Sequence, residues 1–122
     1  MSTILLSIKP EYIEAIFKGT KKYEFRRARC KKHIDKIVIY ATAPVSQVVA
    51  EVEVLDVLED KLDVIWYKTK DFSGITKEEF KQYYKGKNSG VVYKLGTVTR
   101  YKEPKNLADY GIKMPLQSFV YV

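Results

Sequence analysis

The sequence predicts an α+β fold: a small β-barrel of about six strands carrying two or three short helices. Two patterns predict it. Apolar, β-branched runs recur along the 122 residues, while only two or three short stretches have helical spacing. These elements also do not alternate strand by helix, as a parallel βαβ sheet requires. The length suits one domain, residues 1–122, with a modest core. An apolar fraction of 46% belongs to a folded globule rather than a disordered basic tail.

Each element has a local reason. Thr3 to Ile8 forms the first strand. Pro10 then takes the first helical position, where its missing N–H costs nothing. Tyr12, Ile13, Ile16 and Phe17 make one apolar stripe, and Gly19 stands just past the helix end. Lys9 is a poor cap, which leaves free N–H groups beside a cation. Residues 21–27 form a second strand and Ile37 to Ala41 a third, ended by Pro44. Val48 to Val57 is a long β-branched run, the central strand. Leu62, Ile65 and Trp66 have the spacing of a short helix. Thr76 and Glu79 form a capping box, with Ile75 against Phe80 as the staple and Phe80, Tyr83 and Tyr84 as the apolar face. Gly86 ends that helix. Gly90 to Tyr101 is a long strand, and a loop with Pro104 and Pro115 leads to a last strand, Ser118 to Val122.

Composition narrows the function classes. One cysteine excludes an intrachain disulfide and suits a reducing cytosol, so a cytoplasmic protein is expected. No run approaches a bilayer span, and Ile4 to Ile8 lacks the basic flank and length of a signal peptide, so no membrane partner is expected. No His, Cys or carboxylate cluster has metal-ligand spacing, and no glycine-rich phosphate loop or nucleotide fingerprint is present; no cofactor and no metal are expected. Cys30 has basic neighbours but no base beyond His33, which argues against a catalytic pair.

The charge is local. Residues 18–36 hold nine basic side chains and two acids, Glu24 and Asp35, so this segment carries the whole net charge of +7. A concentrated cationic field points to a polyanion such as nucleic acid. Within it lies Gly19-Thr-Lys21-Lys-Tyr-Glu24-Phe-Arg26-Arg27. Strand alternation puts Lys22, Glu24 and Arg26 on one face and Tyr23, Phe25 and Arg27 on the other. Tyr23 and Phe25 are expected in the core, with Glu24 and Arg26 facing a cleft. A carboxylate accepts from base amines, a guanidinium offers a fork for phosphate or a carbonyl edge, and Lys21 adds a point charge. The alternative is an ion-pair network in which Glu24 only neutralises Lys22 and Arg26. Lys9 at the helix start is a second candidate anion site. Arg27, Arg29, Lys31 and Lys32 form a basic loop suited to phosphates, unless it is simply solvated. Lys85, Lys87 and Asn88 are placed to extend the patch. Tyr40, Tyr84 and Trp66 are candidate stacking platforms, though such rings more often belong to the core, where Trp66, on a helix face with Leu62 and Ile65, is expected.

The motif Gly19-x-Lys21-x-x-Glu24-x-Arg26 resembles that of the ASCH domain family. So do the entry Ser7-Ile8-Lys9-Pro10, the passage from Phe80 to Gly90, and the ending Pro115-Leu-Gln117-Ser118-Phe119-x-Tyr121. The resemblance covers almost the whole chain. It implies a PUA-like barrel with a cleft between barrel and first helix, lined by the motif. It also implies a ligand such as RNA, another nucleic acid or a modified nucleotide, in a regulatory module. Two alternatives accompany it. One is an amidohydrolase acting on an acylated nucleoside such as acetylated cytidine, with Lys21 as base or electrostatic stabiliser, Glu24 in proton transfer, and Glu51 or Glu53 on the long strand as acidic partner. Against it, Glu24 stands where that branch's threonine nucleophile would fall, and neither Thr20 nor Thr42 replaces it. The other is a transcription-accessory module whose basic face docks on an acidic protein.

Overall fold

The computed structural model describes residues 2–113 and 119–122. In chain order it holds β1 (Ser2–Ile8), α1 (Pro10–Lys18), β2 (Tyr23–Arg26), β3 (Ile34–Ala41), β4 (Gln47–Lys61), α2 (Leu62–Thr69), α3 (Lys77–Tyr83), β5 (Ser89–Lys105) and β6 (Phe119–Tyr121). Short 3₁₀ turns at Lys70–Phe72 and Leu107–Tyr110 complete the path. The strands form one six-stranded sheet in the order β2-β5-β4-β3-β1-β6. β1 runs parallel to β3, and the remaining neighbours are antiparallel.

The sheet curls. Ile4 and Leu6 of β1 share one apolar cluster with Val91, Tyr93 and Leu95 of β5, three strands away, and Ile13 and Ile16 of α1 fill its centre. Arg26 of edge strand β2 and Phe119 of edge strand β6 line the same cavity of about 380 Å³. The loop after β2 bridges these edges: Lys32 N–H donates to Tyr121 Oη at 3.2 Å, and Lys32 Nζ lies 4.7 Å from that ring's centre. The α+β fold with six strands and three short helices is therefore the expected one.

The outer face of β2 and β5 carries a second cluster. Phe80 sits at its middle, 5.5 Å from Phe25, 5.0 Å from Trp66 and 5.0 Å from Tyr84 between ring centres. Edge-to-face rings of this kind add about 0.5–1.5 kcal/mol per pair beyond buried area. They fasten α2 and α3 to β2. Tyr84 is thus a core residue, Trp66 packs half-buried against the same cluster, and Tyr40 packs half-buried in a third cluster around Leu5, Val38 and Val48. None of the three proposed stacking platforms is free.

Local signals hold closely. Gly19 closes α1 with φ +82°, and the capping box joins Thr76 to Glu79 in both directions. Four strands differ from expectation by two residues or more at an end. β2 is shorter than residues 21–27, because Lys21 bridges singly to Ser73 and Arg27 turns toward α3. β3 starts at Ile34, whose buried side chain joins the main core. β4 and β5 run past Val57 and Tyr101 because they pair with each other from Val48↔Lys105 to Lys61↔Ser89, which satisfies their backbone although their ends are polar. Of the expected last strand, Ser118 lies outside the described residues, as do Pro115 and Gln117.

Candidate functional site

A cleft of about 710 Å³ opens between α1, β2 and α3. Its α1 wall carries Lys9 and Tyr12, its floor Lys21, Glu24 and Arg26, and its α3 wall Ile75, Glu79 and Tyr83. Four of the expected site residues, Lys9, Lys21, Glu24 and Arg26, thus meet in one place. The tight exit from α1 explains how Lys21 reaches it. Gly19 turns the chain, and both Thr20 N–H and Lys21 N–H donate to Ala15 C=O, at 3.0 and 3.1 Å. The Lys21 side chain is thereby aimed inward.

Lys21 is only 3% exposed. Its Nζ donates to Ser73 C=O at 2.8 Å and lies 5.2 and 4.9 Å from the ring centres of Tyr12 and Phe25. Burial lowers its pKa, against the opposing pull of Glu24 and Glu79. Gly74 leaves room for its stem: a Cβ there would lie 2.5 Å from Lys21 Cβ.

Glu24 is 7% exposed, and burial raises its pKa, opposed by Lys21 and Arg26. Arg26 Nη1 stands 3.9 Å from its Oε2, an ion pair too long for a hydrogen bond. Among the described residues, no donor is hydrogen-bonded to the Glu24 carboxylate. A nearly buried carboxylate with open acceptor positions faces a cleft between two cations. The simple ion-pair network with Lys22 does not form, since Lys22 Nζ sits 4.4 Å over the Phe72 ring instead.

Sequence reasoning places Tyr12 in the apolar stripe and Glu79 in the capping box, but neither in the site. Tyr12 Oη donates to Glu79 Oε2 at 2.9 Å, while Glu79 Oε1 accepts from Thr76 N–H at 2.9 Å. Capping therefore uses one carboxylate oxygen and leaves the other as a latch across the cleft. The Thr76 backbone and the Tyr12 hydroxyl hold Glu79 below the usual carboxylate range, while burial and Glu79 push Tyr12 up to about 12. A glutamate at the third helical position has one such free oxygen, so the signal was present, but it named no partner. Ser7 also lines the cleft, its one aliphatic hydroxyl.

The remaining expected residues lie elsewhere. Arg27 donates to Tyr83 C=O at 3.3 Å and Lys85 C=O at 3.4 Å, which caps the end of α3. Arg29 pairs with Glu59 at 3.3 Å. Lys32 packs on Tyr121, and exposed Lys31 and Lys87 do not line the cleft. Glu51 is held by Lys36 at 2.9 Å and Tyr101 at 2.9 Å, and Glu53 accepts from Thr97 N–H. Neither faces the Lys21–Glu24 pair. Cys30 is buried and accepts from Tyr93 Oη at 3.1 Å. No helix among the described residues is long and apolar enough to cross a membrane.

A family model described as a domain of unknown function (DUF365) matches residues 1–114. The chain belongs to the DUF365 family. It is 26% identical over 121 residues to the ATP synthase subunit alpha of Ureaplasma parvum serovar 3, and 26% identical over 121 residues to the large ribosomal subunit protein uL22 of the same organism. Those matches cover 98% of this chain but only 15% and 39% of those proteins. An ASCH domain-containing ribonuclease of Zymomonas mobilis is 25% identical over 92 residues, 75% of this chain and 62% of that protein. The crystal structure of the Zymomonas mobilis ASCH protein superposes with a TM-score of 0.88 at 23% identity, covering 99% of this chain and 87% of that one. A tyrosine-to-phenylalanine variant of it superposes at 0.89 and 22%, covering 100% and 91%. The DUF365 chain therefore has the ASCH fold that its motif implied.

Proposed function

We propose that this DUF365 protein acts on RNA, and that its cleft takes up one base, either within a strand or as a modified nucleotide. One observation carries this: the Glu24 carboxylate is almost buried, unbonded, and aimed into a cleft with Arg26 and Lys21 beside it. Base edges present amine and ring N–H donors to such a carboxylate, while the guanidinium takes a carbonyl edge or phosphate. The Tyr12 and Tyr83 rings offer apolar walls for a flat ligand. The name of the Zymomonas mobilis ribonuclease, a relative across three quarters of the chain, supports an RNA-related role. Binding of labelled RNA and DNA oligomers by anisotropy tests it, comparing Glu24→Gln and Arg26→Gln with the parent. Glu24→Gln is expected to change preference among bases by about 1–3 kcal/mol, the range of one good base contact. Unchanged affinity and preference in both variants would refute a base-reading cleft.

A second reading, hydrolysis, has its own observation. Burial pushes Lys21 down and Glu24 up, so the two groups approach each other in proton affinity, as a proton-transfer pair does. Incubation with RNA and with an acylated nucleoside checks this directly. Product formation that vanishes in Lys21→Met and Glu24→Gln would support it, and absence of turnover with both substrates would remove it.

A further inference from the structure

A second concavity, of about 680 Å³, also touches Lys21. Phe17, Leu55 and Val98 contribute apolar floor, and Lys22, Lys94 and Arg100 contribute charge. The β4–β5 register slips between Leu95 and Val98, which interrupts strand alternation there; Lys94 and Arg100 both line the concavity, and the Tyr23↔Lys94 register sets Lys94 beside the start of β2. Two of these cations are held by aromatic faces. Arg100 Cζ lies 4.7 Å from the Phe17 ring centre and Lys22 Nζ 4.4 Å from that of Phe72. None of the three forms an ion pair among the described residues. No carboxylate lines the groove. Glu53, which lies under Gly96, accepts from Thr97 N–H. Phe72 remains 44% exposed and Leu55 56%. The combination is a cationic groove with open apolar and aromatic surface, as single-stranded nucleic acid prefers.

We propose that this groove carries the sugar-phosphate backbone of the same RNA strand whose base enters the cleft, with Lys21 at the junction of the two. The ligand is then a polymer, and a free nucleotide fills only half of the site. The inference rests on the nucleic-acid reading of the cleft. Lys94, Arg100 and Lys22 meet successive phosphates.

The test is anisotropy across a salt series, with single-stranded RNA from a mononucleotide to about 12 nucleotides, a span that includes typical strand-binding site sizes. The parent protein is compared with Lys94→Gln/Arg100→Gln and with Glu24→Gln. Both β5 side chains are exposed, so circular dichroism should show the double variant folded. Parent affinity should rise with length. The double variant should lower the slope of log K against log salt by about 1.4, two phosphates at about 0.7 each for single strands. It should leave mononucleotide binding unchanged. Equal length and salt dependence in parent and double variant would overturn the groove while leaving the cleft reading intact. Displacement of the RNA by polyglutamate of matched charge would also overturn it, in favour of an acidic protein partner. Loss of oligomer binding in the double variant with no effect of Glu24→Gln would uphold the groove and sink the cleft. No RNA binding at any length would sink both.

Discussion

Replacing Gly74 by alanine should destabilise the protein far more than the same change at other glycines with positive φ. Gly74 has φ +69°, and its added methyl would lie 2.5, 2.6 and 2.9 Å from Cβ, Cγ and Cδ of Lys21. The left-handed backbone alone costs a residue with a Cβ about 1–2 kcal/mol. The contact adds more, because Lys21 Cβ is not the movable end of a side chain. Lys21 is pinned by its bridge to Ser73 and by the 2.8 Å bond from Nζ to Ser73 C=O. Relief requires a backbone shift, for which overpacking costs about 1–3 kcal/mol. The sum is about 2–5 kcal/mol. Gly19 and Gly86 have φ +82° and +84° and nothing within 4 Å of an added Cβ, so their alanine variants should lose only the backbone part. Urea denaturation of the three variants at equal m reads the difference. With m of about 1.5 kcal/mol/M, Gly74→Ala should lower the midpoint by roughly 1–3 M and the controls by about 1 M. Equal losses at all three would refute the tight seating of Lys21 that underlies the whole site. Ligand binding should separate the variants in the same order, since only Gly74→Ala displaces the buried ammonium.

Three other outcomes are expected. Tyr84→Phe removes the hydroxyl that donates to Arg26 C=O at 2.9 Å and Val91 C=O at 3.2 Å; it should cost about 1–3 kcal/mol in urea unfolding. Tyr12→Phe breaks the bond to Glu79 and removes one of the causes that depress its carboxyl, so the NMR titration of Glu79 should move up toward the ordinary range. Because the depressed Glu79 adds stability above its unfolded pKa and loses it as pH falls through the folded value, Tyr12→Phe should also lessen that acid-range loss. Glu24 has the opposite sign: its raised pKa favours the folded state as pH falls and ceases to do so as pH rises through the folded value. Ligands that donate amines to its carboxylate should therefore bind more weakly as pH drops through that raised pKa. Glu24→Gln should abolish this dependence, and a pH profile unchanged in the variant would show that another group titrates.

The fold was legible where a signal is local. Pro10 and Gly19 fix α1, and Thr76 with Glu79 fixes the start of α3, because caps and fixed φ values act within one turn. The outer halves of β4 and β5 were not legible, since polar residues such as Glu59, Asp60 and Lys102 mark a strand only when a partner strand is known. At the site, the motif brought together Lys21, Glu24 and Arg26, which are close in sequence, with Glu24 and Arg26 on β2 and Lys21 just before it. It could not place Glu79, whose partner Tyr12 is 67 residues away. Charge density around Arg27 and Arg29 gave no warning that both make surface contacts within the chain, to the α3 carbonyls and to Glu59. Of the groove's cations, Lys94 and Arg100 lay outside the basic segment, on a strand whose charges the sequence did not connect with Lys21 and Lys22.

The two walls of the cleft belong to different packing units. The α1 side rests on the main cluster, with Ile13 and Ile16, and the α3 side on the aromatic cluster around Phe80. Across the gap run the latch from Tyr12 to Glu79 and the tether from Lys21 to Ser73. The α3 wall comes from one contiguous stretch of chain, 73–84, in which Glu79 holds the cap and the latch and Tyr83 packs on Tyr84, while Glu78 and Gln82 line the cleft without joining the aromatic cluster. A laboratory library confined to Glu78 and Gln82 is therefore expected to alter what the cleft accepts while leaving both packing units intact.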